Sequence, residues 1–153
     1  MMDIVIDTSA LLAILAANDR SHVLAKQVWT DLLTRQVNLI VTNYVLLETF
    51  SLVQRRLGMM AIIILQQDIT PALRVEWVAE REHMTGLAAM LTAADRQLSL
   101  VDCVSFATMR RLRIEVAFAF DRHFADQGFL CIPPTGETLA EEPVVYAEMH
   151  PPK

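Results

Sequence analysis

The fold is decided first at residues 3–9, which have the sequence DIVIDTS. The apolar run at residues 4–6 is typical of a short strand that is buried on both faces of a sheet. Asp7 ends this run, and the two hydroxyl residues after it favour the start of a helix over residues 10–17. The stretch therefore predicts a buried strand, a polar residue at its carboxyl end, and then a helix.

Two further apolar runs, residues 39–41 and 116–120, repeat this pattern, and the second of them ends at Asp121. Helical periodicity separates the runs, so strands alternate with helices, which predicts an α/β fold with a parallel sheet covered on both faces. The residues expected to cap two of the helices are Ser21 and Asn43. The predicted helices cover residues 10–17, a stretch after Ser21, and residues 43–57, 59–67, 79–94 and 99–112, and further strands are predicted at residues 74–78 and 130–132.

Length and composition fit one compact domain. The chain has 153 residues, of which 54% are hydrophobic and 20% are charged, which is enough to build a real core. No apolar run approaches the ~20 residues that cross a membrane, and the N-terminus lacks the basic segment of a signal peptide. Cys103 and Cys131 have neither disulfide nor metal-binding spacing, so we expect two buried free thiols in a reducing cytoplasm.

Charge divides the chain into two parts. The net charge is −5, and residues 133–153 hold four glutamates against one lysine, together with five of the six prolines. We therefore predict a folded domain over residues 1–132 and an irregular, Pro-rich acidic tail over residues 133–153. The folded part has a net charge of only −2, which permits weak local phosphate contacts but not the behaviour of a strongly basic nucleic-acid binder.

Four acidic residues lie at the ends of apolar segments or inside them: Asp7, Glu48, Asp102 and Asp121. If the apolar runs are neighbouring parallel strands, their carboxyl ends share the edge of the sheet where open α/β folds place ligands. Two carboxylates ~5 Å apart repel by roughly 3 kcal/mol at an effective dielectric near 20. If the four carboxylates converge, protons or a cation must therefore offset their repulsion. A hard divalent cation, which prefers oxygen ligands, would do so.

Three of these acids also have a purely structural explanation. Asp7 can cap the helix that follows it. Ser99 and Asp102 match the two ends of a capping box ahead of an apolar run, and Asp121 can start a turn. Their shared position at strand ends or helix starts favours the functional interpretation.

Glu48 is the hardest of the four to explain by structure alone. It lies in a helix that its apolar neighbours predict to be largely buried, where an unpaired carboxylate is costly. The structural alternative is an ion pair with Arg55 or Arg56.

Arginines and histidines give weaker signals. Arg110, Arg111 and Arg113 follow Asp102 on the same predicted helix and could contact RNA phosphates, or they could form a solvated helix end favoured by the macrodipole. The histidines show no zinc spacing; they are His22, His83, His123 and His150.

Four stretches of the chain resemble the PIN-domain ribonucleases and, within them, the VapC-type toxins of prokaryotic toxin–antitoxin pairs. The stretches are IVIDTSAL at residues 4–11, TNYVLLET at 42–49, SLVD through MRRL at 99–112, and AFDRHF through GF at 119–129. They occur in the order expected of the family and span most of residues 3–132. The resemblance implies a three-layer α/β/α fold around a central parallel sheet, with a Mg²⁺ or Mn²⁺ site. It implies that the catalytic metal ligands are Asp7, Glu48, Asp102 and Asp121, supported by Thr8, Ser9 and Asp126.

The expected function is metal-dependent endoribonuclease activity, which hydrolyses RNA phosphodiester bonds, in a cytoplasmic toxin.

The apolar helices at residues 43–57 and 59–67 carry more hydrophobic surface than one sheet face covers, which predicts a homodimer. In a toxin the same region would also receive a cognate antitoxin. The alternatives are a PIN-domain nuclease of RNA processing outside a toxin pair and a non-catalytic PIN-fold interaction module. A phosphoacceptor domain would need a lysine beside the site, and the chain has only Lys26 and Lys153.

Overall fold

The structure is a computed structural model that describes residues 1–134. It contains one sheet of five parallel strands in the order β3-β2-β1-β4-β5. The strands are β1 (Asp3–Ile6), β2 (Asn38–Thr42), β3 (Arg74–Glu76), β4 (Val116–Phe118) and β5 (Leu130–Ile132). Apart from residues 133 and 134, the predicted tail lies outside the described residues.

Helices connect the strands and cover both faces of the sheet. They are α1 (Thr8–Leu15), α2 (His22–Thr34), α3 (Asn43–Arg56), α4 (Met59–Ile64), α5 (Glu80–Ala93), α6 (Leu100–Leu112) and α7 (His123–Asp126). The helix expected over residues 59–67 is shorter than predicted, because α4 passes into a π-helical turn at Leu65–Ile69.

The central strand β1 separates two hydrophobic cores. Ile4 and Ile6 face the core formed with α1, α2 and α3, whereas Val5 faces the core that contains Phe106 of α6 and Phe124 of α7. Since successive side chains of a strand point to opposite faces, β1 must be apolar throughout, as its sequence is. The predicted three-layer α/β/α architecture with a central parallel sheet is confirmed.

The starts of two helices differ from their predictions. Asp7, and not a hydroxyl residue, is the N-cap of α1, which begins at Thr8 rather than at residue 10. Thr42 caps α3 by accepting a hydrogen bond from the backbone N–H of Val45 at 3.1 Å. Asp7 follows β1 directly, and Thr42 is the last residue of β2. In both cases the helix begins at the next residue, without a separate loop.

The two residues predicted as caps have other roles. The side-chain oxygen of Asn43 accepts from the backbone N–H of Val78 at 2.7 Å, which ties the start of α3 to the segment after β3. Ser21 makes no side-chain capping bond to α2; its backbone N–H donates to Asp19 Oδ1 at 2.7 Å. A local turn therefore precedes α2.

Helices α5 and α6 approach each other closely at Gly86. A Cβ atom at this position would lie 2.6 Å from Cγ2 of Val104 and 3.0 Å from its backbone nitrogen, closer than packed atoms tolerate. The absence of a side chain therefore lets α5 support α6, the helix that carries Asp102.

Cys103 and Cys131 are buried free thiols, as predicted. Among residues 1–134, no helix combines the length and the apolar content of a membrane-spanning segment.

Candidate metal centre

Three aspartates come together at the carboxyl edge of the sheet. Asp7 follows β1 directly, and Asp121 lies three residues beyond the end of β4. Since β1 and β4 are parallel neighbours, the chain leaves both strands at the same edge. Asp102 joins them from the first turn of α6, and its charge and that of Asp121 both act on Asp7.

The first turn of α1 holds the Asp7 carboxylate in place. Both the backbone N–H of Ser9, at 3.1 Å, and its hydroxyl, at 2.7 Å, donate to Oδ2 of Asp7. The same hydroxyl accepts a hydrogen bond from the backbone N–H of Phe120 at 3.0 Å. Ser9 therefore links Asp7 to the residue before Asp121, across 111 positions of sequence.

Local hydrogen bonds also orient the other two carboxylates. Oδ2 of Asp102 accepts from the backbone N–H of Ser99 at 3.2 Å, completing a capping box. Oδ1 of Asp121 accepts from the backbone N–H of His123 at 3.0 Å. Each of the three aspartates thus has one oxygen tied to a neighbouring backbone group, in the way that supporting hydrogen bonds orient metal ligands.

Burial and mutual repulsion make Asp7 and Asp102 reluctant to ionise. Asp7 is 3% exposed, and its burial, followed by the charge of Asp121, raises its pKa to about 8. Burial and then the charge of Asp121 also raise the pKa of Asp102. A cap on a solvated helix end would not show this effect, so the capping roles of Asp7 and Asp102 do not account for the whole arrangement.

His123 enters the site although its sequence spacing gave it no role. Its Nδ1 lies 3.3 Å from Oδ2 of Asp102 and 3.9 Å from Oδ1 of Asp121. His123, Asp102 and Asp121 each offer one donor atom, and these three atoms lie within 4.8 Å of one another. The signal in the sequence is the interval of two residues between Asp121 and His123 at the start of α7, which becomes informative only once Asp102 is known to lie beside them.

Glu48 differs from its prediction in one respect. Helix α3 is not largely buried: Val45, Thr49 and Val53 face the core, but Leu47 is 70% exposed and Glu48 is partly exposed. The apolar neighbours misled the prediction because one side of the helix faces outward.

The structural alternative for Glu48 is not observed. Within residues 1–134, Glu48 makes no salt bridge to Arg55 or Arg56. Helix α3 packs against both α1 and α6, the two helices whose N-terminal ends carry Asp7 and Asp102. The participation of Glu48 in the site stays a prediction.

The three arginines that were predicted to contact phosphate have different surroundings in the structure. Arg111 is held by two acids, with Nη2 at 2.6 Å from Glu76 Oε1 and Nε at 2.6 Å from Glu82 Oε1. Arg110 donates to the side chain of Gln127 at 2.9 Å, while Arg113 ends α6 in a left-handed conformation. At 1.5 Å per residue, this group begins roughly 12 Å along α6 from Asp102.

Thr8 and Asp126 were predicted to support the acidic residues of the site. Thr8 is buried beside Asp7, and its hydroxyl has no hydrogen-bond partner in the described part of the chain. Asp126 is exposed on α7, and its charge is among those that raise the pKa of the Cys131 thiol, after burial and Asp121, to about 11. Asp126 therefore lies within electrostatic range of Cys131, and its role as an outer acid stays a prediction.

The residues present fit a divalent cation. The donor set consists of carboxylate oxygens and one imidazole nitrogen, which suits hard or borderline divalent ions. Two buried polar atoms at the site, Thr8 Oγ1 and His123 Nδ1, have no hydrogen-bond partner among the described residues. Together with the raised pKa of Asp7, these features fit a site that a divalent cation would stabilise.

This combination of a parallel three-layer fold and an acidic strand-end site is that of a nuclease domain, and the comparisons agree. The PIN domain family matches residues 4–130, so the chain belongs to the PIN-domain family. The sequence is 33% identical over 137 residues to the 23S rRNA-specific endonuclease VapC20 of Mycobacterium tuberculosis, a match that covers 86% of this chain and 98% of that protein.

Solved structures extend the comparison. The crystal structure of Mycobacterium tuberculosis VapC20, described as a Sarcin-Ricin loop cleaving toxin, superposes with a TM-score of 0.73 at 32% identity, over 83% of this chain and 96% of that one. The crystal structure of FitAcB from Neisseria gonorrhoeae shares the fold, with a TM-score of 0.59 at 16% identity, over 84% and 95% of the two chains. The predicted membership of the PIN-domain ribonucleases of the VapC type is therefore confirmed.

Proposed function

We propose that this protein is a metal-dependent endoribonuclease that hydrolyses RNA phosphodiester bonds as the toxin of a toxin–antitoxin pair. The observation that carries the proposal is the group of mutually repelling carboxylates at the carboxyl edge of the sheet, in which Asp7 and Asp102 are buried and Asp121 is partly exposed. The PIN-domain match and the similarity to an rRNA endonuclease support RNA as the substrate class.

The carboxylates have the role of gathering and orienting the cation. We assign Asp7, Asp102 and Asp121 as ligands, and Glu48 as a fourth acid that acts directly or through water. Mg²⁺ or Mn²⁺ in this site would supply a Lewis acid that polarises a phosphoryl oxygen and acidifies the attacking water. Ser9 keeps Asp7 and the segment before Asp121 in register through its hydroxyl, so the site is organised before RNA arrives.

The proposal is tested by RNA cleavage with defined metal content. The purified protein should cleave an rRNA stem-loop, or a longer structured RNA, in the presence of Mg²⁺ or Mn²⁺, and EDTA should stop the reaction. Asp7→Asn and Asp102→Asn should each lower the rate by at least about 10²–10³-fold, the loss typical of removing one electrostatic contact with the transition state.

Asp68→Asn is the matched control for these variants. It removes the same charge from an exposed aspartate in the turn after α4, so its cleavage rate should equal that of the wild type. Cleavage that persists in EDTA, or that survives in Asp7→Asn, would refute the metal mechanism.

A homodimer and an antitoxin partner belong to the same proposal. Five large apolar side chains are exposed on α3 and α4: Leu47, Met59, Met60, Ile63 and Ile64. Exposed apolar side chains on neighbouring helices favour a protein–protein contact. Sedimentation should give a dimer at tens of micromolar, an order of concentration that weak interfaces require, and Met60→Lys should shift it toward monomer. A monomeric wild type would remove the dimer from the proposal without affecting the nuclease.

The remaining parts of the proposal concern context. We place the nuclease domain at residues 1–132, the Pro-rich acidic tail at residues 133–153, and the protein in the cytoplasm. A small DNA-binding protein encoded in the adjacent reading frame would support the toxin role, whereas its absence would favour a PIN-domain nuclease of RNA processing outside a toxin pair. The non-catalytic alternative is disfavoured because a lapsed site has no reason to keep repelling charges buried.

A further inference from the structure

The imidazole of His123 occupies an unusual position. Its Nδ1 is buried and makes no hydrogen bond within the described residues, although two carboxylate oxygens lie within ion-pair distance. A buried polar atom without a hydrogen bond costs stability unless something else compensates it. A cation bound at Nδ1 would compensate this atom.

The donor atoms of His123, Asp102 and Asp121 lie close enough together to share one ion. Ligand atoms at about 2.1 Å from an octahedral ion lie roughly 3.0 Å apart when adjacent and 4.2 Å apart when opposite. His123 Nδ1 lies 3.3 Å from Oδ2 of Asp102 and 3.9 Å from Oδ1 of Asp121, between these two values.

The surrounding structure fixes the backbone of His123 beside the carboxylates. The backbone N–H of His123 donates to Asp121 at 3.0 Å, which fixes the first residue of α7. The next residue, Phe124, is fully buried and packs edge-on against Phe106 of α6, with ring centroids 4.9 Å apart. Since α6 also carries Asp102, the packing of Phe124 against Phe106 keeps His123 and Asp102 together.

We propose that His123 is a metal ligand through Nδ1, and that this nitrogen shifts the preference of the site from Mg²⁺ toward transition-metal ions. The inference rests on the metal centre of the proposed function and adds a nitrogen donor to its carboxylates. Imidazole binds Mn²⁺ weakly and Co²⁺ more strongly, in the Irving–Williams order, whereas Mg²⁺ prefers oxygen ligands and retains its waters.

Pulsed electron paramagnetic resonance of the full-length protein loaded with substoichiometric Mn²⁺ tests the inference directly. A directly bound imidazole nitrogen modulates the electron spin echo. We expect this modulation in the wild type and in His22→Gln, and its loss in His123→Gln. His22 is a suitable control because its Nδ1 is engaged with the backbone carbonyl of Ala13 at 2.8 Å.

Calorimetric titration with metals gives an independent measure. His123→Gln should weaken Co²⁺ binding by about 10-fold or more, the lower end of the loss expected when a metal-site residue is removed, and Mg²⁺ binding by less than about 3-fold. A melting curve of each variant in EDTA excludes misfolding as the cause, and His123→Asn serves as a second variant if the glutamine fails to fold.

The outcomes separate this inference from the proposed function. RNA cleavage with Mn²⁺ but no nitrogen modulation in the wild type would overturn the role of His123 and leave the nuclease intact. Nitrogen modulation that disappears in His123→Gln, in a protein that cleaves no RNA, would support the ligand and refute the nuclease. Equal losses of Mg²⁺ and Co²⁺ affinity in His123→Gln would overturn the shift in metal preference.

Discussion

The charged residues at the two ends of helix α6 have opposite electrostatic surroundings. Its first turn carries Asp102, whose pKa is raised by burial and by the nearby charge of Asp121. Its last turn carries Arg111, which is held between Glu76 and Glu82 at 2.6 Å from each. Both ends follow the ordinary preference for acids at the start of a helix and bases at its end, but only the first turn lies among unneutralised like charges.

This difference separates a functional arrangement of charge from a structural one. The ion pairs of Arg111 satisfy Glu82, whose side chain is only 8% exposed, so the charges at that end compensate one another within the fold. The carboxylates at the other end oppose one another and are compensated only when protons or a cation arrive. Perturbed groups of the second kind are typical of functional sites.

The largest effect we expect is a loss of metal-free stability as the pH rises. The pKa of Asp7 is raised from 3.8 to about 8. Between these values the unfolded chain has released a proton that the folded chain still holds, so the free energy of unfolding falls as the pH rises. At about 1.4 kcal/mol for each pKa unit, the loss reaches several kcal/mol and is complete above the folded-state pKa.

Denaturant unfolding in EDTA measures this effect by comparing the wild type with Asp7→Asn, which resembles the protonated form. The two proteins should have similar stability near pH 4, and the asparagine variant should become the more stable one as the pH approaches 8, in line with the raised pKa of Asp7. Asp68→Asn, at an exposed position, should keep a constant difference from the wild type. A constant difference for Asp7→Asn as well would show that Asp7 acts only as a helix cap.

The opposite end of α6 should show an intermediate effect that does not involve the metal. Arg111→Gln leaves Glu82 buried without its partner, which should destabilise the fold by about 1–3 kcal/mol. Adding Glu82→Gln should recover part of that loss, as a double-mutant cycle would reveal. Arg35→Gln breaks an exposed pair with Asp31 and should cost ~0.5 kcal/mol or less. Metal affinity changed by Arg111→Gln would show that the two ends are coupled.

The smallest effect concerns RNA binding. Arg111 is engaged by acids and Arg110 by the neutral side chain of Gln127, so Arg110 and Arg113 are the members of the predicted group whose charge we expect to contact phosphate. Replacing both with glutamine should weaken RNA binding and reduce the slope of log affinity against log salt by at most about 1.4, or ~0.7 for each contact with a single strand. Filter binding over a range of salt concentrations measures the slope. An unchanged slope would assign both arginines to the solvated end of the helix.

The pattern of apolar residues along single segments was sufficient to predict most of the fold. Residues 4–6 and 39–41 are continuously apolar, and both lie in parallel strands buried on two faces. The predictions that Ser21 and Asn43 cap their helices were wrong, because a side-chain cap depends on which oxygen meets which N–H. They were also wrong for the burial of α3, because an apolar stretch does not show which side of a helix lacks a neighbour.

The sequence by itself determined the alternation of strands and helices, the parallel sheet, and the positions of Asp7 and Asp121 at strand ends, because these depend on side-chain periodicity along a single segment. Only the tertiary structure decided which polar groups meet. It brought Asp102 and His123 to the strand-end aspartates, left Glu48 partly exposed on α3, and gave Arg111 its acidic partners. These contacts join residues on different elements, and their distances follow from how helices pack on the sheet, which no local pattern encodes.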